Sequence, residues 1–161
     1  IYLAPNNYHR LHMPTDARLY QMLHVPGRLF SVAPWIVEAV PRLFARNERV
    51  VCLFNTRAGP LAMVLVGAMN VAAIETVWSG LVTPPMGKKV TSSDFSHTTK
   101  SYSKGDEMGR FNMGSTIILL MGQKVEWLQK LRPGNTLKVG ELIGHFPMPK
   151  KKAAAKPQAK A

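Results

Sequence analysis

Two histidines three residues apart are the first candidates for chemistry in this sequence. His9 and His12 lie on either side of Arg10 in the segment Tyr8-His9-Arg10-Leu11-His12-Met13-Pro14. An imidazole titrates close to neutral pH, so the pair could bind a metal ion, exchange protons with a substrate, or lie on the surface without a role. Zinc needs three or four ligands, and the single cysteine, Cys52, lies in an apolar run. We therefore expect no metal site, and the segment alone leaves acid–base chemistry and an ordinary surface open.

A second candidate is the triplet Gly114-Ser115-Thr116, which leads into the apolar run Ile117-Ile118-Leu119-Leu120. Ser115 does not match the nucleophile elbow of serine hydrolases, which needs glycine two residues before and two residues after the serine. Met113 and Ile117 occupy those positions. The triplet is not a phosphate-binding loop either, because no Gly-Lys-Ser/Thr follows a glycine-rich run. Taken by itself, it predicts the start of a strand.

The elements that must position these residues are mostly strands. Segments rich in Val, Ile, Leu and aromatic residues predict strands at residues 49–55, 61–68, 71–78, 116–121 and 137–143. Residues 56–60 predict a hairpin connection, and residues 35–45 have a roughly helical spacing that Pro41 interrupts. We therefore predict a mostly β (α+β) fold, a compact sandwich- or barrel-like single domain with short helices.

The more polar stretches are predicted to be irregular. Residues 1–14 have mixed polarity and no helical stripe, which indicates extended chain and loop. Residues 91–104 are rich in Ser, Thr and Lys, which is typical of a mobile loop. Residues 147–161 are mostly Lys, Ala and Pro and predict a disordered basic tail. The folded domain is therefore placed at residues 1–146.

The chain is strongly basic. Lys and Arg number 21 against 9 Asp and Glu, a net charge of +12, and five lysines follow the last acidic residue, Glu141. Without those five the chain still carries 16 − 9 = +7, which indicates an anionic partner: nucleic acid, a lipid headgroup or an acidic protein. No aromatic platform for RNA is evident.

The longest uncharged apolar stretch, residues 61–74, is shorter than the roughly 20 residues that span a bilayer. The single cysteine excludes an intramolecular disulfide scaffold.

Five segments, read in series, carry a resemblance to a known family. They are Tyr2-Leu3-Ala4-Pro5 with Tyr8-His9-Arg10-Leu11-His12-Met13-Pro14, Leu43-Phe44-Ala45-Arg46-Asn47-Glu48-Arg49, Ile74-Glu75-Thr76-Val77-Trp78 with Thr83-Pro84-Pro85, Glu107-Met108-Gly109-Arg110-Phe111, and Met113-Gly114-Ser115-Thr116. Their order and spacing over residues 2–120 resemble the phosphatidylserine decarboxylase family, in particular its bacterial and mitochondrial branch. The cleavage motif of that branch is Leu-Gly-Ser-Thr, and Met113 replaces its leucine, an apolar exchange of similar volume.

The resemblance implies a proenzyme that cuts itself between Gly114 and Ser115. The Ser115 hydroxyl would attack the Gly114 carbonyl to form an ester, and β-elimination and hydrolysis would then leave a covalent pyruvoyl group, the cofactor. The products would be residues 1–114 (the β-chain) and residues 115–161 (the α-chain). A serine hydroxyl is a poor nucleophile without a base, and the resemblance assigns that role to His12. Glycine suits position 114 because no side chain obstructs the attack.

The same resemblance implies the reaction and its surroundings. The pyruvoyl ketone would form a Schiff base with the amine of phosphatidylserine, carbon dioxide would leave, and phosphatidylethanolamine would be released. His9 would lie near the substrate carboxylate and take part in the proton transfer, and Tyr2 would line the substrate pocket. The implied partners are phosphatidylserine, an anionic membrane surface, the two chains of one precursor and a second copy in a homodimer, with no nucleic acid. The implied location is peripheral, on the cytoplasmic face of the bacterial inner membrane or on the mitochondrial inner membrane.

Two other functions stay open beside this one. The first is a pyruvoyl-dependent decarboxylase of a soluble amino acid. The second is a basic, non-catalytic module for membranes or RNA, which would bind in a salt-sensitive way and show no chemistry at Ser115. The family's orienting aspartate lies upstream of the tyrosine and histidine motif, whereas this sequence starts at Ile1. We therefore expect a piece of a longer enzyme, one that is inactive on its own.

Overall fold

The structure is a computed structural model and describes residues 1–69, 73–83, 88–112, 115–129 and 131–147. Within these residues the chain forms thirteen strands and two short helices. The strands are β1 (Tyr2–Leu3), β2 (Arg10–His12), β3 (Ala17–Val25), β4 (Arg49–Thr56), β5 (Gly59–Val66), β6 (Ile74–Thr76), β7 (Gly80–Thr83), β8 (Thr91–Asp94), β9 (Ser101–Tyr102), β10 (Glu107–Phe111), β11 (Ser115–Met121), β12 (Glu126–Trp127) and β13 (Gly144–His145). The helices are α1 (Pro34–Ala39) and α2 (Leu43–Arg46). The prediction of a mostly β fold with short helices is confirmed.

Seven strands form one antiparallel sheet in the order β1-β11-β5-β4-β3-β8, and β9 also pairs with β3. Strands β4 and β5 are joined by the two-residue turn Arg57-Ala58, with Thr56 opposite Gly59. Gly59 has φ +99°, a backbone conformation that favours glycine. The predicted hairpin is therefore confirmed. As far as the described residues show, the sheet ends at β1 and β8 and does not close into a barrel.

A second antiparallel sheet has four strands in the order β2-β10-β6-β7. Its buried side chains join those of the seven-stranded sheet in one hydrophobic cluster. Trp78, just after β6, links the two sheets because its ring meets that of Phe54 edge-on, with centroids 5.9 Å apart. Its indole N–H reaches the Met22 sulfur at 3.2 Å, and a buried indole needs such a partner. The core therefore lies between the two sheets.

The connection between β3 and β4 holds both helices and is anchored by the buried side chain of Asn47. Its Nδ2 donates to the carbonyls of Phe30 at 2.8 Å and Gly67 at 2.9 Å, and its Oδ1 accepts from the Phe30 N–H at 3.0 Å. Gly27 lies so close to this chain that a Cβ on it would approach the Arg46 carbonyl oxygen to 2.5 Å. The helices were predicted, and Val40, Pro41 and Arg42 separate them as the interrupted spacing indicated.

Two sequence-derived assignments are corrected. Residues 91–104 are not an irregular loop, because they contain β8 and β9, which pair with β3. Residues 137–143 contain no strand: Val139 and Leu142 are exposed, and Gly140 has φ +82° in a turn. Residues 1–14 are extended chain and loop as predicted, and two parts of the extended chain, β1 and β2, are each paired in a sheet. Short strands of this kind depend on partners that are distant in the sequence.

The chain divides into two compact units, residues 1–123 and the residues from Lys124 onward. In the second unit β12 pairs with β13, and the Glu126 carboxylate lies 2.9 Å from Nε2 of His145. The predicted disordered tail, residues 147–161, lies outside the described residues except for Pro147. The folded domain at residues 1–146 stays a prediction. Among the described residues, no helix is both long and apolar enough to cross a membrane.

Candidate active site

Ser115 is the first residue of β11 and lies at one end of the seven-stranded sheet, opposite the edge strand β1. Leu3 of β1 lies opposite it, and Tyr2 lies opposite the next residue, Thr116. The Ser115 side chain is completely buried, and its Oγ has no hydrogen-bond partner among the described residues. Leaving a buried hydroxyl unpaired costs about 1–3 kcal/mol. Such a hydroxyl is available for chemistry. The other sequence-derived candidate on this pair of strands, Tyr2, shares the sheet face of Thr116, and Leu3 shares that of Ser115. Met113 and Gly114 lie outside the described residues.

The two histidines lie beside the chain that leads to Ser115. Strand β2 pairs with β10, so that His12 lies opposite Glu107 and Arg10 opposite Arg110. The ladder continues one residue further, because the His9 carbonyl accepts a 3.0 Å hydrogen bond from the N–H of Phe111. Phe111 precedes Ser115 by four residues. Backbone pairing therefore holds the histidine segment against the approach to the cleavage motif.

His9 has one paired and one unpaired ring nitrogen. Its Nδ1 lies 2.6 Å from the Asn7 carbonyl oxygen, which can only accept, so Nδ1 carries the proton. Its Nε2 is buried and has no hydrogen-bond partner among the described residues. Asn7 is itself held in a turn, since its Oδ1 accepts from the Ala4 N–H at 2.8 Å. His9 can therefore offer a lone pair at Nε2 from a fixed position.

His12 is held at both ring nitrogens. Nδ1 donates to the Gly105 carbonyl at 2.8 Å, and Nε2 accepts from the Tyr8 hydroxyl at 2.8 Å. The Tyr8 and His12 rings also stack, with centroids 5.7 Å apart and planes 14° apart. The backbone carbonyl thus selects the tautomer whose lone pair is on Nε2. Within the described residues, His12 contacts Tyr8 and Gly105 and makes no hydrogen bond to Ser115.

Arg10 of β2 and Arg110 of β10 lie opposite each other, and each is paired with a carboxylate. Arg10 Nη1 lies 2.8 Å from both carboxylate oxygens of Glu107, and this contact raises the pKa of Arg10 above its ordinary value. Arg110 donates to Glu75 Oε2 from Nε at 2.9 Å and lies 2.6 Å from it through Nη2. The second oxygen of Glu75 is 3.4 Å from Nδ2 of Asn112. Glu75 therefore fixes two residues just upstream of the cleavage motif.

Gly109 allows β10 and β6 to approach each other closely. A Cβ at this position would lie 2.3 Å from the Glu75 carbonyl oxygen, far inside van der Waals contact. The pairing of β10 with β2 also shifts register between Glu107 and Gly109. The glycine therefore keeps Arg110 and Glu75 on adjoining strands at bonding distance.

Comparison with known proteins gives the family of this chain. The family model described as phosphatidylserine decarboxylase matches residues 1–145. The chain belongs to the phosphatidylserine decarboxylase family. The resemblance carried by the five segments is therefore confirmed.

Individual relatives are similar over most of this chain. It is 52% identical over 149 residues to the phosphatidylserine decarboxylase proenzyme of Ectopseudomonas mendocina, covering 90% of this chain and 52% of that protein. It is 57% identical over 125 residues to the proenzyme of Alkalilimnicola ehrlichii, covering 77% and 43%. The chain thus spans about half the length of the curated relatives that it matches.

Membership of the decarboxylase family gives the site its context, while the roles of Ser115, His9, His12 and Tyr2 stay predictions. The sequence did not assign roles to Tyr8, Gly105, Glu75, Glu107 and Asn112, which supply the contacts around them. Tyr8, Glu75 and Glu107 are in the segments that carried the resemblance. The Tyr8 hydroxyl and the two carboxylates were therefore a sequence signal that could have marked these residues as part of the site. Within the part of the chain that the structure describes, no three His, Cys, Asp or Glu side chains are grouped for a metal ion.

Proposed function

We propose that the natural polypeptide containing this chain is a pyruvoyl-dependent decarboxylase. It would cut itself between Gly114 and Ser115 and then convert phosphatidylserine to phosphatidylethanolamine. The observation that supports this most directly is the Ser115 hydroxyl, which is fully buried and has no partner among the described residues. In a chain of this family, that hydroxyl is the group expected to attack the preceding peptide bond. Residues 1–114 and 115–161 would be the two products.

His12 is the proposed base for the cut. With its Nδ1 proton on the Gly105 carbonyl, its Nε2 presents a lone pair of the kind that general-base catalysis requires. In the structure that lone pair accepts a hydrogen bond from the Tyr8 hydroxyl. The reaction therefore requires Nε2 to give up this hydrogen bond and to accept one from the Ser115 hydroxyl instead. Tyr8 is half exposed, and its released hydroxyl can therefore be solvated. The carbonyl of Gly105 stays in place as the orienting acceptor.

Ser115 would supply the pyruvoyl cofactor, and its surroundings suit such a group. A pyruvoyl group formed at residue 115 would supply an electron-withdrawing carbonyl for the decarboxylation. Position 115 is completely buried in the structure, which limits contact of a reactive carbonyl with bulk water. The hydrolysis step and the entry of the substrate would therefore require this position to open. His9 would hold and return the proton at Nε2, which has no partner among the described residues, and Tyr2 would line the pocket beside Thr116.

A lipid substrate fits the charge of the chain. Its +12 net charge favours an anionic surface, where each Lys or Arg near the leaflet contributes about 1 kcal/mol. We therefore propose a peripheral membrane protein on the cytoplasmic face of the bacterial inner membrane, since the relatives named above are bacterial. A homodimer, in which each precursor contributes both of its chains, completes the proposal.

Intact mass measurement of the complete natural polypeptide tests this function. Wild type should give two chains, the smaller starting with a pyruvoyl group, and Ser115→Ala should stay uncut. Thr116→Ala is the matched control, because Thr116 Oγ1 is also buried and has no hydrogen-bond partner among the described residues; it should still cut. An uncut wild type that is inactive on phosphatidylserine would overturn the proposal. Turnover of free serine but not of phosphatidylserine would favour the soluble amino acid, and RNA binding without cutting would favour the non-catalytic module.

A further inference from the structure

Ser115 lies at one particular end of the seven-stranded sheet. A row of directly paired residues crosses the sheet at this end and consists of Thr116, Val66, Arg49 and Val25. These residues are at the start of β11, the end of β5, the start of β4 and the end of β3. The connection of residues 26–48 and the chain after Val66 therefore emerge at the Ser115 end.

These two connections carry large apolar side chains that are exposed. Trp35 is 69% exposed at the start of α1, Met69 is 61% exposed and Leu29 is 42% exposed. They arise from backbone that is locked together, because Asn47 bonds to both Phe30 and Gly67. A Cβ on Gly67 would meet Cδ2 of Leu29 at 3.4 Å, so Leu29 lies against the chain that leads to Met69. Leu29 and Trp35 thus belong to one connection, and Leu29 lies against the segment that leads to Met69. Exposed large apolar side chains on such joined segments are the basis for considering a contact surface here.

Arginines accompany these apolar side chains. Arg28, Arg42 and Arg46 are all exposed in the same connection. Arg46 lies over the Phe30 ring, with its guanidinium carbon 4.7 Å from the ring centroid. The connection contains two acidic residues, and one of them, Glu48, is paired with the buried His24 at 2.8 Å. The exposed charge of this connection is therefore mainly positive.

We propose that Leu29, Trp35 and Met69, with Arg28, Arg42 and Arg46, form the surface by which the protein docks on an anionic bilayer. We call this set the docking face. Indole side chains favour the level of the lipid headgroups, and arginines favour anionic headgroups. The inference rests on the proposed function, because it places the bilayer at the end of the sheet where a lipid must reach Ser115. A nucleic acid would match the arginines but not the apolar side chains between them.

The test uses the complete natural polypeptide and vesicles of phosphatidylcholine with or without phosphatidylglycerol, an anionic lipid that is not the substrate. Wild type should bind the anionic vesicles. Trp35→Ser should weaken that binding by about tenfold, as expected when one large interfacial side chain is lost. Arg28→Glu/Arg42→Glu should reduce its dependence on phosphatidylglycerol. Leu120→Ser and Arg57→Ala are matched controls, because both side chains are exposed toward the opposite end of the same sheet. Both should bind like wild type.

Separate readouts distinguish the docking face from the enzyme function. Self-cleavage by intact mass, and turnover of a short-chain, soluble phosphatidylserine, report on the site. In Trp35→Ser the ratio of vesicle turnover to soluble turnover should fall. If the variants lost vesicle binding but the wild-type protein did not cut itself, the docking face would be supported and the proposed function would be overturned. Unchanged vesicle binding in both variants would overturn the docking face. It would also be overturned if Trp35→Ser changed the oligomeric state or the folding temperature but not the binding. That result would indicate that a second copy or another segment covers this face.

Discussion

The Tyr8 hydroxyl donates a 2.8 Å hydrogen bond to Nε2 of His12, and the two rings stack. On the other side of the imidazole, the Gly105 carbonyl holds the Nδ1 proton at 2.8 Å. A carbonyl cannot donate, so this contact selects one neutral tautomer. The base-capable nitrogen of His12 is thus defined by two groups 97 residues apart in the sequence, Tyr8 and Gly105.

The first prediction concerns this contact. His12→Ala should leave the precursor uncut because it removes the proposed base. Tyr8→Phe keeps the ring stacking but removes the hydroxyl that occupies Nε2, so we expect cutting to persist, with a rate within about tenfold of wild type. Intact mass over time after synthesis measures both rates. Cutting of His12→Ala at the wild-type rate would exclude His12 as the base.

The second prediction separates the two histidines. His9→Ala should cut normally, yet its decarboxylation should fall by about 100-fold or more, which is the usual contribution of a general acid–base group. The reason is that His9 Nε2 is the buried lone pair without a partner among the described residues. Carbon dioxide release by the cut protein measures the effect. An uncut His9→Ala precursor would show that the roles of His9 and His12 are reversed.

Much of the fold could be predicted because central strands have continuous apolar sequences. Strands β4, β5 and β11 each have a run of apolar residues, most of which are buried or partly buried, so their composition alone identified them. Strand β8 did not stand out because all four of its residues are exposed and polar. It exists because its backbone pairs with β3, and the Gln21 amide also donates to the Ser92 hydroxyl at 3.0 Å. An edge strand needs a partner more than it needs apolar side chains.

The site was predictable to the extent that its residues occur in short sequence motifs. Ser115, His9 and His12 were found from sequence segments, whereas the groups that orient them were not. Gly105 reaches His12 across 93 residues, and Glu75 reaches Arg110 across 35. Such contacts follow from which strands pair and in what register, and no local pattern contains that information.

The third prediction compares two carboxylates. Glu75→Gln should slow self-cleavage by about tenfold, because Glu75 holds Arg110 and Asn112 next to the cleavage motif, and small displacements near a reacting group are costly. Glu107→Gln is the matched control: it breaks an exposed pair with Arg10, and such pairs contribute at most about 1 kcal/mol. Its cutting rate should stay near wild type. Equal rates for the two variants would remove Glu75 as a positioning residue.

The fourth prediction concerns alkaline pH. Complete burial raises the pKa of the Cys52 thiol well above its ordinary value. The raised folded-state pKa means that the thiol's contribution to stability is fully present below the unfolded pKa, about 8.5, and is lost as pH rises above it. The free energy of unfolding should therefore fall by up to about 1.4 kcal/mol per pH unit from there.

Urea unfolding at pH 7 to 10 measures this slope. Cys52→Ala should be less stable at every pH but should show a flatter decline above pH 8.5 or so. Tyr102→Phe is the control, since burial also raises the pKa of Tyr102 but an ordinary phenol titrates only near pH 10 or so. Parallel curves for wild type and Cys52→Ala would refute the assignment of the decline to the thiol.

The fifth prediction tests whether the close approach of β10 and β6 is required. Gly109→Ala would place a Cβ 2.3 Å from the Glu75 carbonyl oxygen, which can yield only if the two strands separate. We expect a loss of about 2–4 kcal/mol in the free energy of unfolding. Slower self-cleavage should accompany that loss, because Arg110 and Glu75 would move apart.

Gly80→Ala is the comparison for this substitution. Gly80 has a positive φ of 63°, but a Cβ there would meet nothing within 4 Å. Its cost should therefore be limited to backbone strain, about 1–2 kcal/mol, and it should leave cutting unchanged, since the Arg110–Glu75 contact is untouched. Urea unfolding and intact mass on the same samples give both quantities. Equal stability and equal cutting rates for Gly109→Ala and Gly80→Ala would contradict this prediction. The spacing of β10 and β6 would then not depend on the absence of a side chain at Gly109.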